Sequence, residues 1–125
     1  MVPDDRKYTQ EHEWVQVEGD VGTVGVTDFA ANELGEVVFV ELPETGSEFS
    51  QGDTIGTIES VKAVADLFLP VSGEIIEIND AVVDGPELVN KDPLDDGWLF
   101  RVRISDPSEL DQLLDAAAYN ALIGG

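Results

Sequence analysis

Cysteine is absent from the 125 residues, so the chain holds no disulfide framework, thiol nucleophile or thiolate metal site, and secretion gains no support. Basic residues are scarce: six Lys and Arg stand against 27 Asp and Glu, a formal net charge of -21. A surface of that sign repels polyphosphate and argues against nucleic acid as a partner. Nowhere do eighteen apolar residues run together, so the sequence offers no membrane span. Met1 to Tyr8 carries charges and no apolar run, unlike a signal peptide. The expected location is cytoplasmic.

What is present fits a globular protein of ordinary apolar content, 42%. The length is read as one domain, residues 1–125, able to bury roughly two-thirds of the surface exposed when unfolded. The acids are spread along the chain, and their mutual repulsion is relieved where the Debye length falls to about 3 Å, near 1 M salt. A salt-rich cytoplasm, and so a halophilic source, is the preferred reading of this charge. Steering toward basic docking surfaces is compatible with it.

Between Trp14 and Ile104 short β-rich segments alternate with Gly, Pro, Asn and Asp about every ten residues, the pattern of a small sandwich or barrel. The predicted strands are Glu13–Glu18, Val21–Val26, Glu36–Glu41, Thr54–Ser60, Val64–Leu69, Gly73–Ile78 and Trp98–Ile104. Thr27-Asp28 is placed to cap a short helix through Leu34 with Gly35 at its end, and Ser105-Asp106-Pro107 opens a C-terminal helical region. Within that region Leu110, Leu113, Leu114, Ala117, Leu122 and Ile123 form an apolar stripe predicted to pack on the sheets. Trp14 and Trp98 are expected in the core, and His12 is read as structural or partner-facing. Asp92, Asp95 and Asp96 lack the ordered ligand spacing of a calcium loop and read as a solvated acidic loop; no metal site is expected.

The segment Gly52 to Asn79, GDTIGTIESVKAVADLFLPVSGEIIEIN, contains a single lysine. Ile55, Ile58, Val61, Val64, Leu67 and Leu69 flank it, so the two arms of a hairpin can be anchored in a core while Lys62 projects at the tip. Its neighbours Val61 and Ala63 are uncharged. On composition alone Lys62 is an ordinary solvated lysine. A Schiff-base lysine needs burial or a neighbouring cation, and nothing basic lies near it in sequence.

The segment resembles the modification hairpin of biotinyl and lipoyl carriers, and the whole chain resembles the glycine cleavage H-protein family. The resemblance rests on YTQEHEWV at Tyr8–Val15, VGVTDFAANELGEVVFVELPETG at Val24–Gly46, the lysine segment, and PELVNKDPLDDGWLFRVRISD at Pro86–Asp106. Val61 and Ala63 stand where biotin carriers usually have methionine. The resemblance implies an all-β barrel-sandwich hybrid with short helices and a C-terminal helical segment. It implies lipoic acid amide-linked to Lys62, put there by a lipoylating enzyme. It further implies a monomeric, non-enzymatic shuttle that takes the aminomethyl group of glycine from a pyridoxal-phosphate glycine decarboxylase to a tetrahydrofolate-dependent aminomethyltransferase and is reoxidised by dihydrolipoamide dehydrogenase. Glu13 and Asp66 are implied to hold the arm's cationic amine, and Glu11 occupies a position where relatives vary. A lipoate-relay protein of the same family, or an unmodified scaffold that kept the fold, are the alternatives.

Overall fold

The computed structural model describes residues 2–124. Nine strands form two antiparallel sheets: β1 (Lys7–Tyr8), β2 (Glu13–Glu18), β3 (Val21–Val26), β4 (Val37–Glu41), β5 (Glu48–Phe49), β6 (Thr54–Ser60), β7 (Val64–Phe68), β8 (Gly73–Ile78) and β9 (Phe100–Ile104). The larger sheet runs β1-β2-β3-β9-β8-β5 and the smaller β4-β6-β7. Neither order closes into a ring among the described residues, so the architecture is a sandwich of two open sheets. Both contribute to one apolar cluster, from Val15, Val24 and Val102 on one side to Val40, Ile58 and Leu67 on the other.

Local chemistry explains the elements. Gly19-Asp20 makes the two-residue turn between β2 and β3, with Glu18 opposite Val21 and Gly19 alone at positive φ (64°), a type II′ pattern that matches strand twist. Helix α1 (Asp28–Leu34) starts where Thr27 Oγ1 accepts the Ala30 N–H and stops at Gly35, as the cap residues dictate. Trp14 lies across Gly25, where a Cβ would stand 2.6 Å from the indole. Its ring nitrogen donates to the carbonyls of Val26 and Pro93, so this tryptophan fills the core as expected. Trp98 does so only in part: it is half-buried, with the Arg101 guanidinium 4.1 Å above its ring.

The structure refines or corrects three points. The C-terminal helical region is present but in two pieces: a 3-10 helix (Pro107–Gln112) gives way to extended backbone at Leu113, and α4 (Ala116–Leu122) starts afresh on an Asp115 cap. The break lets Leu114 bridge Tyr8. Leu110, Leu113, Leu114 and Ile123 do pack inward, but Ala117 and Leu122 face solvent, and the residue that anchors α4 is Tyr119, stacked on Tyr8 at 4.7 Å. Second, Val61 and Val64 do not anchor the lysine hairpin; both are exposed, and Ile55, Ile58, Leu67 and Leu69 alone do that work. Third, strands β1 and β5 and helices α2 (Asp80–Asp84) and α3 (Leu88–Lys91) were not predicted, each being two to five residues long.

Candidate functional site

Strands β6 and β7 pair from Gly56 opposite Leu67 to Glu59 opposite Val64, which leaves Ser60 to Ala63 as the turn. Ser60 N–H donates to Ala63 O at 2.7 Å, and Ala63 N–H returns to Ser60 Oγ at 3.0 Å, so the tip is closed on itself. Val61 N–H donates to Glu36 O, which ties the tip to the start of β4. Lys62 is exposed at this tip. Its stem crosses Gly35, where a Cβ would stand 3.3 Å from Cε and 3.9 Å from Nζ. Asn90 holds that crossing in place: its amide donates to Gly35 O at 2.6 Å and its Oδ1 accepts the Val37 N–H at 2.9 Å.

Beside the hairpin is a cavity of about 190 Å³ lined by residues that include Glu11, His12, Glu13, Glu33 and Asp66 among apolar walls of Val26, Ala30, Leu34, Ile58 and Leu67. Four acids on an apolar pocket favour a small organic cation. Glu13 is the innermost of them, 3% exposed. Its Oε2 accepts the Phe68 N–H at 2.8 Å and its Oε1 a longer bond from Thr9 Oγ1 at 3.4 Å. Burial dominates those bonds and, helped by the nearby Glu11 charge, pushes the carboxyl from 4.5 up to about 8. Asp66 meets the cavity at its rim: the pairing of Glu41, Thr57 and Asp66 across the smaller sheet assigns its side chain to the exposed face. A second cavity, of about 300 Å³, lies on the Thr9, Gln51, Phe68 and Leu113 side of Glu13.

His12 turns the chain into this site with φ 66°, a left-handed conformation rare for a residue with a side chain. Its Nδ1 lies 2.9 Å from the Tyr119 hydroxyl, which is also 2.8 Å from Thr27 Oγ1, the cap of α1. The ring packs 4.9 Å from Phe29. Its structural reading is thus supported, with the addition that it walls the cavity. Asn90 and Tyr119 carried no motif-independent signal in sequence, since each matters through a partner tens of residues away; Gly35 was legible as the end of α1 but not as the crossing point of the Lys62 stem. Asp92, Asp95 and Asp96 bring carboxylate oxygens within 4.8 Å of one another in the loop before β9, outside this site.

A β-sandwich that holds one lysine out on a closed turn, beside a carboxylate-lined pocket, has the construction of a carrier of a covalently attached group. Residues 6–124 match the family model of the glycine cleavage H-protein, and the chain belongs to that family. It is 54% identical over 120 residues to the glycine cleavage system H protein of Symbiobacterium thermophilum, spanning 96% of this chain and 94% of that one. Against the protein of the same name from Bacteroides thetaiotaomicron it is 52% identical over 123 residues, 98% of each chain. A crystal structure of a glycine cleavage system H protein from Mycobacterium marinum superposes with a TM-score of 0.92 at 41% identity, over 99% of this chain and 100% of that one. The chain is therefore a lipoyl-carrier protein of glycine cleavage and not itself a catalyst. Membership implies a lipoyl group on a lysine and enzyme partners within that system. Among the described residues no helix is long and apolar enough to cross a membrane.

Proposed function

We propose that the lipoyl group is amide-linked to Lys62 and that the chain, as a single cytoplasmic domain and a monomer, carries the aminomethyl group of glycine from the pyridoxal-phosphate decarboxylase to the tetrahydrofolate-dependent aminomethyltransferase, with dihydrolipoamide dehydrogenase restoring the disulfide. One observation supports this above the others: the lone lysine of the β6–β7 hairpin stands exposed at the tip, next to a pocket walled by the buried carboxyl of Glu13. Gly35 leaves open the space that the lysine stem crosses, so the residues fit a tethered group.

When bound, the dithiolane supplies the disulfide chemistry that takes up and gives up the cargo. The chain supplies the rest. Its closed turn holds Nζ clear of the sheets, and the uncharged Val61 and Ala63 leave the lipoylating enzyme an open approach. Asp66 at the rim receives a protonated amine, and Glu13, protonated below about pH 8 while the pocket is empty, sheds its proton as the cation enters. In a pocket of low polarity the ion pair is stronger than in water. The walls of Val26, Ala30, Leu34 and Ile58 keep out the water that would hydrolyse an aminomethyl adduct to formaldehyde and ammonia.

Reconstitution with the decarboxylase and carbon-labelled glycine tests the proposal. Lipoylated wild type takes up label; Lys62→Arg takes none; Glu13→Gln and Asp66→Asn load but lose label to water faster. Label on Lys62→Arg would overturn the attachment site. Lipoylated wild type that takes no label would overturn the shuttle and leave the lipoate-relay reading.

A further inference from the structure

Among the described residues seven large apolar side chains remain exposed, and four of them, Val38, Phe39, Val61 and Val64, surround the Lys62 tip. Strand register explains why. Phe39 pairs with Glu59 and Glu59 with Val64, so the three lie in one row across β4, β6 and β7 on the outer face of the smaller sheet. Side chains in such a row share a face. The pairing of β4 with β6 shifts register between Val37 and Phe39, a bulge that leaves Val38 and Phe39 exposed in succession where regular alternation would have turned one of them inward. Val61 completes the patch from the turn itself, fixed to β4 by its bond to Glu36 O. Exposures of 45% for Val38, 51% for Phe39, 71% for Val61 and 66% for Val64 make this surface costly to leave in water.

The patch does not stand alone. Glu59 lies inside the Phe39–Val64 row, the next row on the same face is Glu41, Thr57 and Asp66, and Glu36 borders the tip. An apolar centre within a carboxylate border is complemented by an apolar surface ringed with Lys and Arg. Any enzyme that draws an arm from Lys62 into its own active site must seat against these same residues.

We propose that Val38, Phe39, Val61 and Val64 form the docking surface for the enzyme that loads the arm, and that this enzyme presents an apolar centre with a basic rim. The identity of that enzyme rests on the function proposed above; the surface itself is tested without the arm. Lipoyl-free carrier is titrated with glycine decarboxylase in wild-type form, as Phe39→Ser/Val64→Ser, and as Val83→Ser, an exposed apolar residue of α2 outside the patch. The double variant is expected to raise Kd by about tenfold or more, with Val83→Ser within about twofold of wild type and affinity falling as KCl rises. Unchanged near-ultraviolet circular dichroism checks that the double variant is folded. A double variant that binds like wild type, or wild type that does not bind, overturns the proposal. Wild type that sediments as a dimer, and a double variant that sediments as a monomer, would assign the face to a second copy and also overturn it. Failure of the shuttle reading is distinct, since it appears as absent label on lipoylated protein and not in these titrations.

Discussion

The buried carboxylate of Glu13 and the backbone amide of Phe68 meet at 2.8 Å, joining the start of β2 to the end of the hairpin strand that follows Lys62. The acid proposed to receive the cargo is thus fastened to the hairpin proposed to bear the arm. Because burial raises its pKa from 4.5 to about 8, folded Glu13 keeps a proton that the unfolded chain has lost between about pH 5 and 8. Folding takes up that proton, so wild type loses stability as pH rises across this window. Glu13→Gln cannot titrate and is expected to gain on wild type by roughly 2–4 kcal/mol from pH 5 to pH 8. Urea midpoints at several pH values check this, and parallel pH profiles for the two proteins would contradict it.

Tyr119→Phe removes one hydroxyl that meets both His12 Nδ1 and Thr27 Oγ1 while keeping the ring stack on Tyr8. The loss leaves the part-buried His12 Nδ1 without its partner and removes one of the two bonds of Thr27 Oγ1, so a destabilisation of about 1–3 kcal/mol is expected. It should be accompanied by faster amide exchange at His12 and in the first turn of α1. Exchange confined to α4 would mean that the tyrosine serves only its own helix.

Most of the framework was legible in sequence because it is written in local chemistry. β2, β3, β6 and β8 fall at the expected bounds, and β4, β7 and β9 differ from them only at their ends, since alternation and turn residues set them. The lysine tip was legible for the same reason. What was not legible depends on distant pairing. Val61 and Val64 read as core by hydrophobicity, yet register and the turn turn them outward beside Phe39. Tyr119 lies 107 residues from His12, and the extended break at Leu113 is stabilised by a bridge to Tyr8 that periodicity cannot reveal. The left-handed His12 had only a weak local signal, since histidine is enriched in that conformation but seldom adopts it.

Gly56 and Gly46 offer a graded test of packing. A Cβ at Gly56 would fall 2.2 Å from the Glu41 carbonyl oxygen in the neighbouring strand, so Gly56→Ala must push β4 from β6. At Gly46 the space is open and only the positive φ of 94° is strained. Thermal unfolding is expected to show a loss of about 1 kcal/mol for Gly46→Ala and about 3 kcal/mol or more for Gly56→Ala. Equal losses would show that the β4–β6 approach is more pliable than its geometry implies.

With a net charge of -21 and ion pairs at Arg101–Glu77 and Arg103–Glu74 both on the surface, repulsion outweighs attraction in dilute buffer. Thermal unfolding should therefore shift upward between 0.1 M and 2 M KCl. Because screening is nearly complete by about 1 M, further gain above that concentration would reflect salt exclusion and not charge. A melting temperature independent of KCl would contradict the salt-rich reading of the composition.

The most direct test of the central claim is peptide mapping by mass spectrometry of the protein isolated from its own host. The account requires a lipoyl increment on the peptide that contains Lys62, and none on those containing Lys7 or Lys91, the other two lysines. A lipoyl increment on either of those, or its absence from Lys62 in cells that actively cleave glycine, would contradict it.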